Sequence, residues 1–173
     1  MSHPLELFKY CPKCGSQYFE VNNFKSKHCP DCGFTYYQNP SSATAAFILN
    51  RKGELLVVRR GKEPARGTLD LPGGFVDNGE TGEEGIVREI KEETGLEVGK
   101  VEYLFSVPNI YRYSGMDIHT LDMFYVCHVD SDEIHAADDA AECFWVPLRE
   151  VYVERFGLRS IRKGVHTFLQ QNC

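Results

Sequence analysis

The segment from Gly74 to Leu96 constrains this chain more than any other, because it places glutamates and an arginine at fixed offsets along one predicted helix. Glu92 and Glu93 follow Glu89 by three and four positions, so a helix brings the three carboxylates onto one face. Like charges at this spacing repel each other and destabilise a helix. A divalent cation would remove that repulsion, and the spacing therefore predicts a metal-binding helix.

The sequence also predicts where this helix begins and ends. We expect it to run over residues 81–94, with Gly95 just past its end as a C-terminal stop. Ile86, Val87 and Ile90 are expected to form the buried face opposite the glutamates. A plain solvated acidic helix is the alternative, but it explains neither the glycines nor the arginine at their positions.

The segment resembles the Nudix box, G-x5-E-x7-R-E-U-x-E-E-x-G-U, in which U is an aliphatic residue. Every specified position is filled, by Gly74, Glu80, Arg88, Glu89, Ile90, Glu92, Glu93, Gly95 and Leu96. The resemblance implies an α+β fold, a Nudix α/β/α sandwich with a mixed β-sheet. It also implies a hydrolase that cleaves diphosphate bonds with the help of Mg²⁺ or Mn²⁺.

The same resemblance assigns roles to individual residues. Glu92 and Glu93 would be the main metal ligands, and Glu89 a further ligand or the base that activates water. The backbone carbonyl of Gly73 or Gly74 is a plausible additional ligand. Carboxylate and carbonyl oxygens are the hard ligands that Mg²⁺ and Mn²⁺ prefer.

Two box residues and a later acid complete the expected catalytic set. Arg88 would orient a box carboxylate through a charge-assisted contact, and Glu80 would be an extra metal ligand or support the others. In some Nudix enzymes the base comes from a later loop. The loop over residues 130–142 offers three such acids, Asp138, Asp139 and Glu142. Glu142 is our candidate for a distal catalytic carboxylate, with simple solvation as the alternative.

Four cysteines near the start of the chain form two C-P-x-C-G motifs. Cys11 and Cys14 belong to C-P-K-C-G, and Cys29 and Cys32 belong to C-P-D-C-G, with 14 residues between the pairs. Each turn points two thiolates at one ion, and its glycine permits a left-handed backbone. The pattern predicts a structural Zn²⁺ site, with redox or disulfide chemistry as the alternatives. His28 is expected to be a spectator.

The chain divides into two predicted domains, a zinc ribbon over residues 1–40 and a Nudix hydrolase domain over residues 41–173. In the second domain we expect a hairpin over 43–49 and 55–60, strands over 101–107, 120–129 and 144–147, and an amphipathic helix over 157–169. A loop is expected to connect the strands across residues 108–119.

This layout resembles the branch of the family that contains NADH pyrophosphatases, which carry S-Q-P-W-P-F-P-x-S after the box. Residues 106–114 here read SVPNIYRYS. Ser106, Pro108 and Ser114 match, Tyr111 is a conservative aromatic replacement, and the other positions depart. The motif therefore does not identify NADH as the substrate.

The same stretch supplies candidate substrate-binding residues. Tyr111 and Tyr113 are expected to stack on a nucleobase, and Arg112 to contact a phosphate or ribose. The alternative is that the two tyrosines are packing residues at the end of a strand.

Composition narrows the function classes. The formal net charge of −6 argues against broad nucleic-acid binding. The first residues lack an apolar signal segment and no run of 18 apolar residues occurs, so we expect a cytoplasmic protein without a membrane span. A homodimer is left open.

The expected function is hydrolysis of a nucleoside diphosphate linked to another moiety, such as NADH or ADP-ribose, or of a nucleoside triphosphate, with release of a nucleoside monophosphate. The alternative is a binding protein, either a Nudix-derived nucleotide sensor or a zinc-ribbon nucleic-acid binder.

Overall fold

The computed structural model describes residues 3–135 and 140–172, which belong to two compact units. The ribbon unit contains the chain up to Ser41 together with Ile110–His119. The sheet unit contains Ser42–Asn109 and the chain from Thr120 onward.

The ribbon unit is built on a three-stranded antiparallel sheet in the order β1-β2-β3. Its strands are β1 (Glu20–Asn23), β2 (Ser26–His28) and β3 (Thr35–Tyr37). Phe19, Cys11 and Cys29 form its small buried cluster. A core of this size contributes little stability by itself, so a unit of this kind depends on an additional crosslink such as a metal.

The sheet unit carries a six-stranded sheet in the order β6-β5-β4-β8-β7, with β9 paired to β5. The strands are β4 (Ser41–Leu49), β5 (Glu54–Arg60), β6 (Leu69–Asp70), β7 (Val101–Tyr113), β8 (Met116–His128) and β9 (Ala140–Pro147). Two helices accompany them, α1 (Gly82–Thr94) and α2 (Arg159–Asn172). Short 3-10 turns at Leu148–Glu150 and Val153–Arg155 precede α2.

The two faces of the sheet are covered by different helices, because alternate residues of β4 point in opposite directions. Phe47 faces α2, and its ring stacks on that of Phe168 with the centroids 4.0 Å apart. Ile48 lies in the other cluster, with Ile90 of α1. Gly164 lets α2 approach closely, since a Cβ there would overlap the ring of Phe124. The predicted α+β sandwich is confirmed.

The region predicted as a loop over residues 108–119 is instead the end of a long hairpin. Strands β7 and β8 continue to a two-residue turn at Ser114 and Gly115, whose φ angles are 49° and 78°. Positive φ at both positions suits the twist of a tight hairpin. Pro108 is tolerated because β7 ends the strand order and therefore has a free edge.

The other local predictions hold with small changes. Helix α1 has the expected limits, and Ile86 and Ile90 are fully buried, but Val87 is 38% exposed and does not belong to the buried face. The strand expected over 144–147 begins earlier, at Ala140. Neither helix of the described chain has the length and apolar character needed to cross a membrane.

Candidate active site

Helix α1 is held in a fixed register by caps at both ends. The Thr81 hydroxyl accepts from the Glu84 backbone N–H, and the Glu84 carboxylate accepts from the Thr81 backbone N–H. At the other end, Gly95 adopts a left-handed conformation with φ of 72°. An N-cap of this type contributes about 1 kcal/mol to helix stability. The cap at Thr81 sets where α1 starts, and the start in turn sets which face carries the box glutamates.

Arg88 is the centre of the box. Its Nε donates to Oε1 of Glu80 at 2.8 Å, and its Nη1 donates to Glu89 at 2.9 Å and Glu92 at 3.1 Å. Its Nη2 donates to the backbone carbonyl of Phe75 at 3.0 Å. One guanidinium thus holds three carboxylates, as its planar set of five N–H donors allows.

These contacts shift the ionisation of both partners. The hydrogen bond from Arg88 lowers the pKa of Glu80 below its ordinary value, with a smaller contribution from the Asp77 backbone N–H. Hydrogen bonds to Glu80 and then Glu89 raise the pKa of the Arg88 guanidinium. The box carboxylates are therefore held beside a permanent positive charge.

Two glycines allow the glutamates to approach the backbone. Oε2 of Glu93 accepts from the backbone N–H of Gly73 at 3.0 Å. A Cβ on Gly74 would lie 2.5 Å from Oε1 of Glu89, so a larger residue there would displace that carboxylate from its present position. The Gly74 carbonyl, a predicted metal ligand, accepts from the Thr44 backbone N–H at 2.8 Å and the Thr44 hydroxyl at 3.3 Å. Both of its lone pairs are used, which favours the Gly73 carbonyl as the backbone ligand.

A cavity of about 100 Å³ opens beside Glu93 and Gly73. Its other lining residues are Val58, Arg59, Arg60, Gly61, Lys62, Asp70 and Leu71. Three basic residues, at or just beyond the end of β5, thus line the same cavity as Glu93. We did not predict them as site residues, although a basic run that ends a buried strand just before a glycine-rich loop was a usable signal.

Arg60 is committed to a structural contact. Its Nη1 donates to the carboxylate of Asp70, which is 6% exposed, and its Nε donates to the Pro64 carbonyl at 2.7 Å. Burial raises the pKa of Asp70, and the positive charge of Arg60 opposes that rise. Arg60 is therefore tied to the loop and to the buried Asp70 through two of its N–H groups.

Glu142 lies in strand β9 and not in a loop, because residues 140–147 pair with β5 along its length. Its cross-strand partner is Arg59, whose Nε donates to Oε2 of Glu142 at 2.8 Å. The Glu142 side chain is 61% exposed. Its partner Arg59 lines the cavity beside Glu93. The acids predicted at Asp138 and Asp139 lie outside the described residues.

The predicted substrate-binding residues lie at the tip of the β7–β8 hairpin, within the ribbon unit. The rings of Tyr111 and Tyr113 stack on each other with centroids 6.2 Å apart. Arg112 donates to Asp117 at 2.9 Å across the turn. The expected contacts of all three with a nucleotide stay a prediction.

The four cysteines of the ribbon unit converge on one point. All four Sγ atoms lie within 4.8 Å of one another, and both Cys11–Cys32 and Cys14–Cys29 are separated by 3.7 Å. A disulfide requires about 2.05 Å, whereas a Zn–S bond of about 2.3 Å gives sulfur separations of about 3.8 Å in a tetrahedron. The donor set and spacing fit zinc.

The turns that carry these cysteines have the predicted geometry. Gly15 and Gly33 have φ angles of 76° and 71°, and their N–H groups donate to the carbonyls of Cys11 and Cys29. His28 contacts the hydroxyl of Thr35 at 2.8 Å and is not part of the cluster. Elsewhere in residues 3–135 and 140–172, no other group of three or more metal-binding side chains is drawn together to this degree.

Comparison with known proteins agrees with this geometry. A family model described as NUDIX domain matches residues 39–167. An ADP-ribose pyrophosphatase of Methanocaldococcus jannaschii is 38% identical over 119 residues, which are 66% of this chain and 66% of that protein. A protein named NAD-capped RNA hydrolase NudC, from Vibrio parahaemolyticus, is 26% identical over 150 residues, or 86% of this chain and 55% of the relative. The chain thus spans two thirds or less of the length of these relatives.

Among solved structures, a NUDIX hydrolase from Nitrosomonas europaea superposes with a TM-score of 0.71 at 22% identity. The superposition covers 95% of this chain and 92% of that one. At this level of identity the likeness concerns the fold.

Proposed function

The chain belongs to the NUDIX domain family, and on that basis we propose that it is a Mg²⁺- or Mn²⁺-dependent hydrolase of diphosphate bonds. Its substrate would be a nucleoside diphosphate linked to another moiety. The observation that carries the proposal is the complete box network, in which Arg88 holds Glu80, Glu89 and Glu92 while Glu93 is fixed on the Gly73 N–H. A protein that only binds nucleotides has no need to keep all of these carboxylates in place.

The carboxylates need a cation before a diphosphate can approach. Four acidic side chains on one surface repel an anionic substrate, and Arg88 supplies a single positive charge to them. Glu92 and Glu93, with the Gly73 carbonyl, are the residues that would hold the metal ions. When bound, Mg²⁺ neutralises phosphate oxygens and lowers the pKa of an attacking water.

The cavity beside Glu93 and Gly73 supplies the positive charge of the proposed site. Lys62 and Arg59 line the same cavity as Glu93 and Gly73, so a phosphate held there lies next to the metal-binding carboxylates. Arg59 also donates to Glu142 and to the carbonyl of Gly67 at 3.1 Å. A guanidinium fixed in this way is pre-oriented, which reduces the entropy lost when it binds a phosphate.

We propose Glu89 as the base that activates water, in preference to Glu142. The Glu89 side chain is 16% exposed and is packed against Gly74 inside the box. Glu142 is more exposed and pairs with Arg59. The comparison of Glu89→Gln with Glu142→Gln separates these roles. Loss of the acidic limb of the rate–pH profile in Glu142→Gln alone would transfer the role to Glu142.

ADP-ribose is the first substrate to test, since one relative is named for that activity. Hydrolysis breaks one P–O bond of the diphosphate, and the oxygen of water joins the phosphorus. The products are AMP and ribose 5-phosphate. NADH, NAD, dinucleoside polyphosphates and nucleoside triphosphates complete the panel, because the sequence over residues 106–114 departs from the NADH motif.

A substrate panel with Mg²⁺ and identified products tests the proposal. At least one compound should yield a nucleoside monophosphate, and Glu93→Gln should lower kcat at least about 100-fold without unfolding the protein. Glu83→Gln is the matched control, because Glu83 is an exposed glutamate of the same helix outside the network. Full activity in Glu93→Gln, or nucleotide binding without hydrolysis of any compound, would contradict the proposal.

We also propose a structural Zn²⁺ in the ribbon unit, bound by Cys11, Cys14, Cys29 and Cys32. The convergence of four thiols around one point supports this ion. Thiolates select Zn²⁺ and carboxylates select Mg²⁺, so the two metal sites are chemically separable. Metal analysis should find about one tightly held zinc per chain, and cysteines that are oxidised to disulfides without zinc would contradict the assignment.

A further inference from the structure

The ribbon unit contains a cleft that the proposed hydrolase activity does not use. It has a volume of about 470 Å³ and is formed by the start of the chain, the β1–β2 turn, the segment after β3 and His119 of the hairpin tip. Small-molecule sites have volumes of about 300–1,000 Å³. The residues that line this cleft and those that line the cavity beside Glu93 have no member in common.

The apolar part of the cleft contains one exposed phenyl ring and two prolines. Phe24 lies in the β1–β2 turn with 81% of its surface exposed, the highest value among the exposed large apolar residues described. Pro4 and Pro40 are the other apolar residues of the lining. An exposed phenyl ring beside two prolines offers a face on which a planar heterocycle can stack.

The polar part of the cleft is neutral or positive. Among the described lining residues none is acidic, and Lys25 supplies a positive charge. Its Nζ donates to Oδ1 of Asn39 at 3.1 Å, and an ammonium has three N–H donors. His3 is fixed by two backbone groups, since its Nδ1 accepts from the Leu5 N–H and its Nε2 is 2.8 Å from the Asn23 carbonyl. The lining therefore favours an anion.

Gln38 gives the cleft an unused hydrogen-bond acceptor. Its Oε1 is buried and has no hydrogen-bond partner among residues 3–135 and 140–172, although its backbone N–H donates to the Lys25 carbonyl at 2.8 Å. A buried polar atom without a partner costs about 1–3 kcal/mol. Because Oε1 itself is closed to solvent, the Gln38 amide must turn toward the cleft before a ligand N–H, such as the exocyclic amine of an adenine or cytosine, can remove that cost.

We propose that this cleft binds a nucleoside monophosphate, with the base stacked on Phe24, an N–H of the base donated to Gln38, and the phosphate near Lys25. The occupant is a single nucleotide and not a nucleic-acid chain, because one lysine is too little positive charge to follow a phosphate backbone. This site goes beyond the proposed hydrolase activity and does not depend on it.

Photolabelling of the full-length protein with 2-azido-AMP, without added divalent metal, tests the site. Labelled peptides should include those that contain Phe24 or Gln38, and AMP should prevent the labelling. Phe24→Ala should raise the AMP concentration needed for half-protection about tenfold, the usual effect of losing one base-stacking contact. Gln38→Leu should weaken AMP protection as well.

Tyr18→Ala is the matched control, because Tyr18 is an exposed aromatic residue of the same unit that does not line the cleft. It should leave labelling unchanged, and unaltered zinc content in all variants shows that the unit is folded. Labelling confined to the sheet unit would overturn the proposal, as would equal protection by ribose 5-phosphate and AMP. Protection by an oligonucleotide at far lower concentration than AMP would overturn the single-nucleotide assignment.

Discussion

Replacement of Gly73 by alanine should destabilise the sheet unit more than replacement of Gly67, the glycine that precedes β6. Gly73 has a φ of 148°, and an added Cβ would lie 2.8 Å from the Cα of Ala45 and from the carbonyl carbon of Thr44. These are backbone atoms of β4, so no side chain can rotate away. Carbon atoms normally stay about 3.5–4.0 Å apart, and the strand or the loop must therefore shift by about 1 Å.

The magnitude follows from two contributions. A backbone conformation unfavourable for alanine costs about 1–3 kcal/mol, and forcing an extra methyl group into a packed site costs about 1–3 kcal/mol more. Gly73→Ala should therefore lower the free energy of unfolding by about 2–6 kcal/mol. Gly67→Ala is the matched control, since Gly67 has a φ of 83° but no atom within 4 Å of its added Cβ. It should cost only the conformational part, about 1–2 kcal/mol.

Urea denaturation followed by tryptophan fluorescence measures this difference. The chain has one tryptophan, Trp145 of β9, which packs against the buried cluster under α1 in the sheet unit. The Gly73 N–H also holds Glu93, so Gly73→Ala should reduce hydrolysis even where the protein remains folded. If the two variants lose the same free energy of unfolding, the close approach of Gly73 to β4 is not what requires glycine there.

Three further outcomes are expected. Arg88→Lys should lower kcat at least about tenfold, because an ammonium cannot reproduce the parallel contacts to Glu80 and Glu89; equal kcat in both proteins would refute this. Because Arg88 lowers the pKa of Glu80 in the folded state, this pair stabilises the fold above the unfolded pKa of about 4.3 and the effect disappears as pH falls through the folded pKa. Without Mg²⁺, the Tm of Glu80→Gln should therefore fall less at acid pH than that of the unsubstituted protein. Plots of Tm against pH that run parallel for the two proteins would contradict this. Removal of zinc should expose residues 1–40 to protease before the sheet unit, and simultaneous cleavage of both would argue against a structural zinc.

Much of the fold was predictable where local chemistry and tertiary packing agree. Helix α1 carries its own start and stop signals in Thr81 and Gly95, and these appear in the structure as caps. The hairpin of β4 and β5 follows from two apolar runs and a short turn, with Leu49 paired to Leu55. In such elements the sequence pattern and the packed structure favour the same conformation.

The end of the β7–β8 hairpin was not predictable in this way. Residues 108–119 include a proline and many polar side chains because this part of the hairpin is largely exposed. Residues 116–119 do alternate between apolar and polar side chains, which are half-buried and exposed in turn, but so short a run does not by itself predict a strand. Val87 was misjudged for a related reason, since helical spacing does not give the width of the face that the sheet covers.

Local spacing along the chain was enough to predict which side chains meet at the box helix and at the two cysteine turns. The box residues and the paired cysteines act at short, fixed separations along the chain, so local geometry suffices to bring Glu89, Glu92 and Glu93 onto one helix face and two thiols onto each turn. The residues that surround these groups are brought there by long-range packing. Strand pairing sets Arg59 opposite Glu142, which is 83 positions away, and folding aligns Phe24 with Gln38 and His119 around one cleft. Such contacts depend on how distant segments pack, and no local spacing encodes that arrangement.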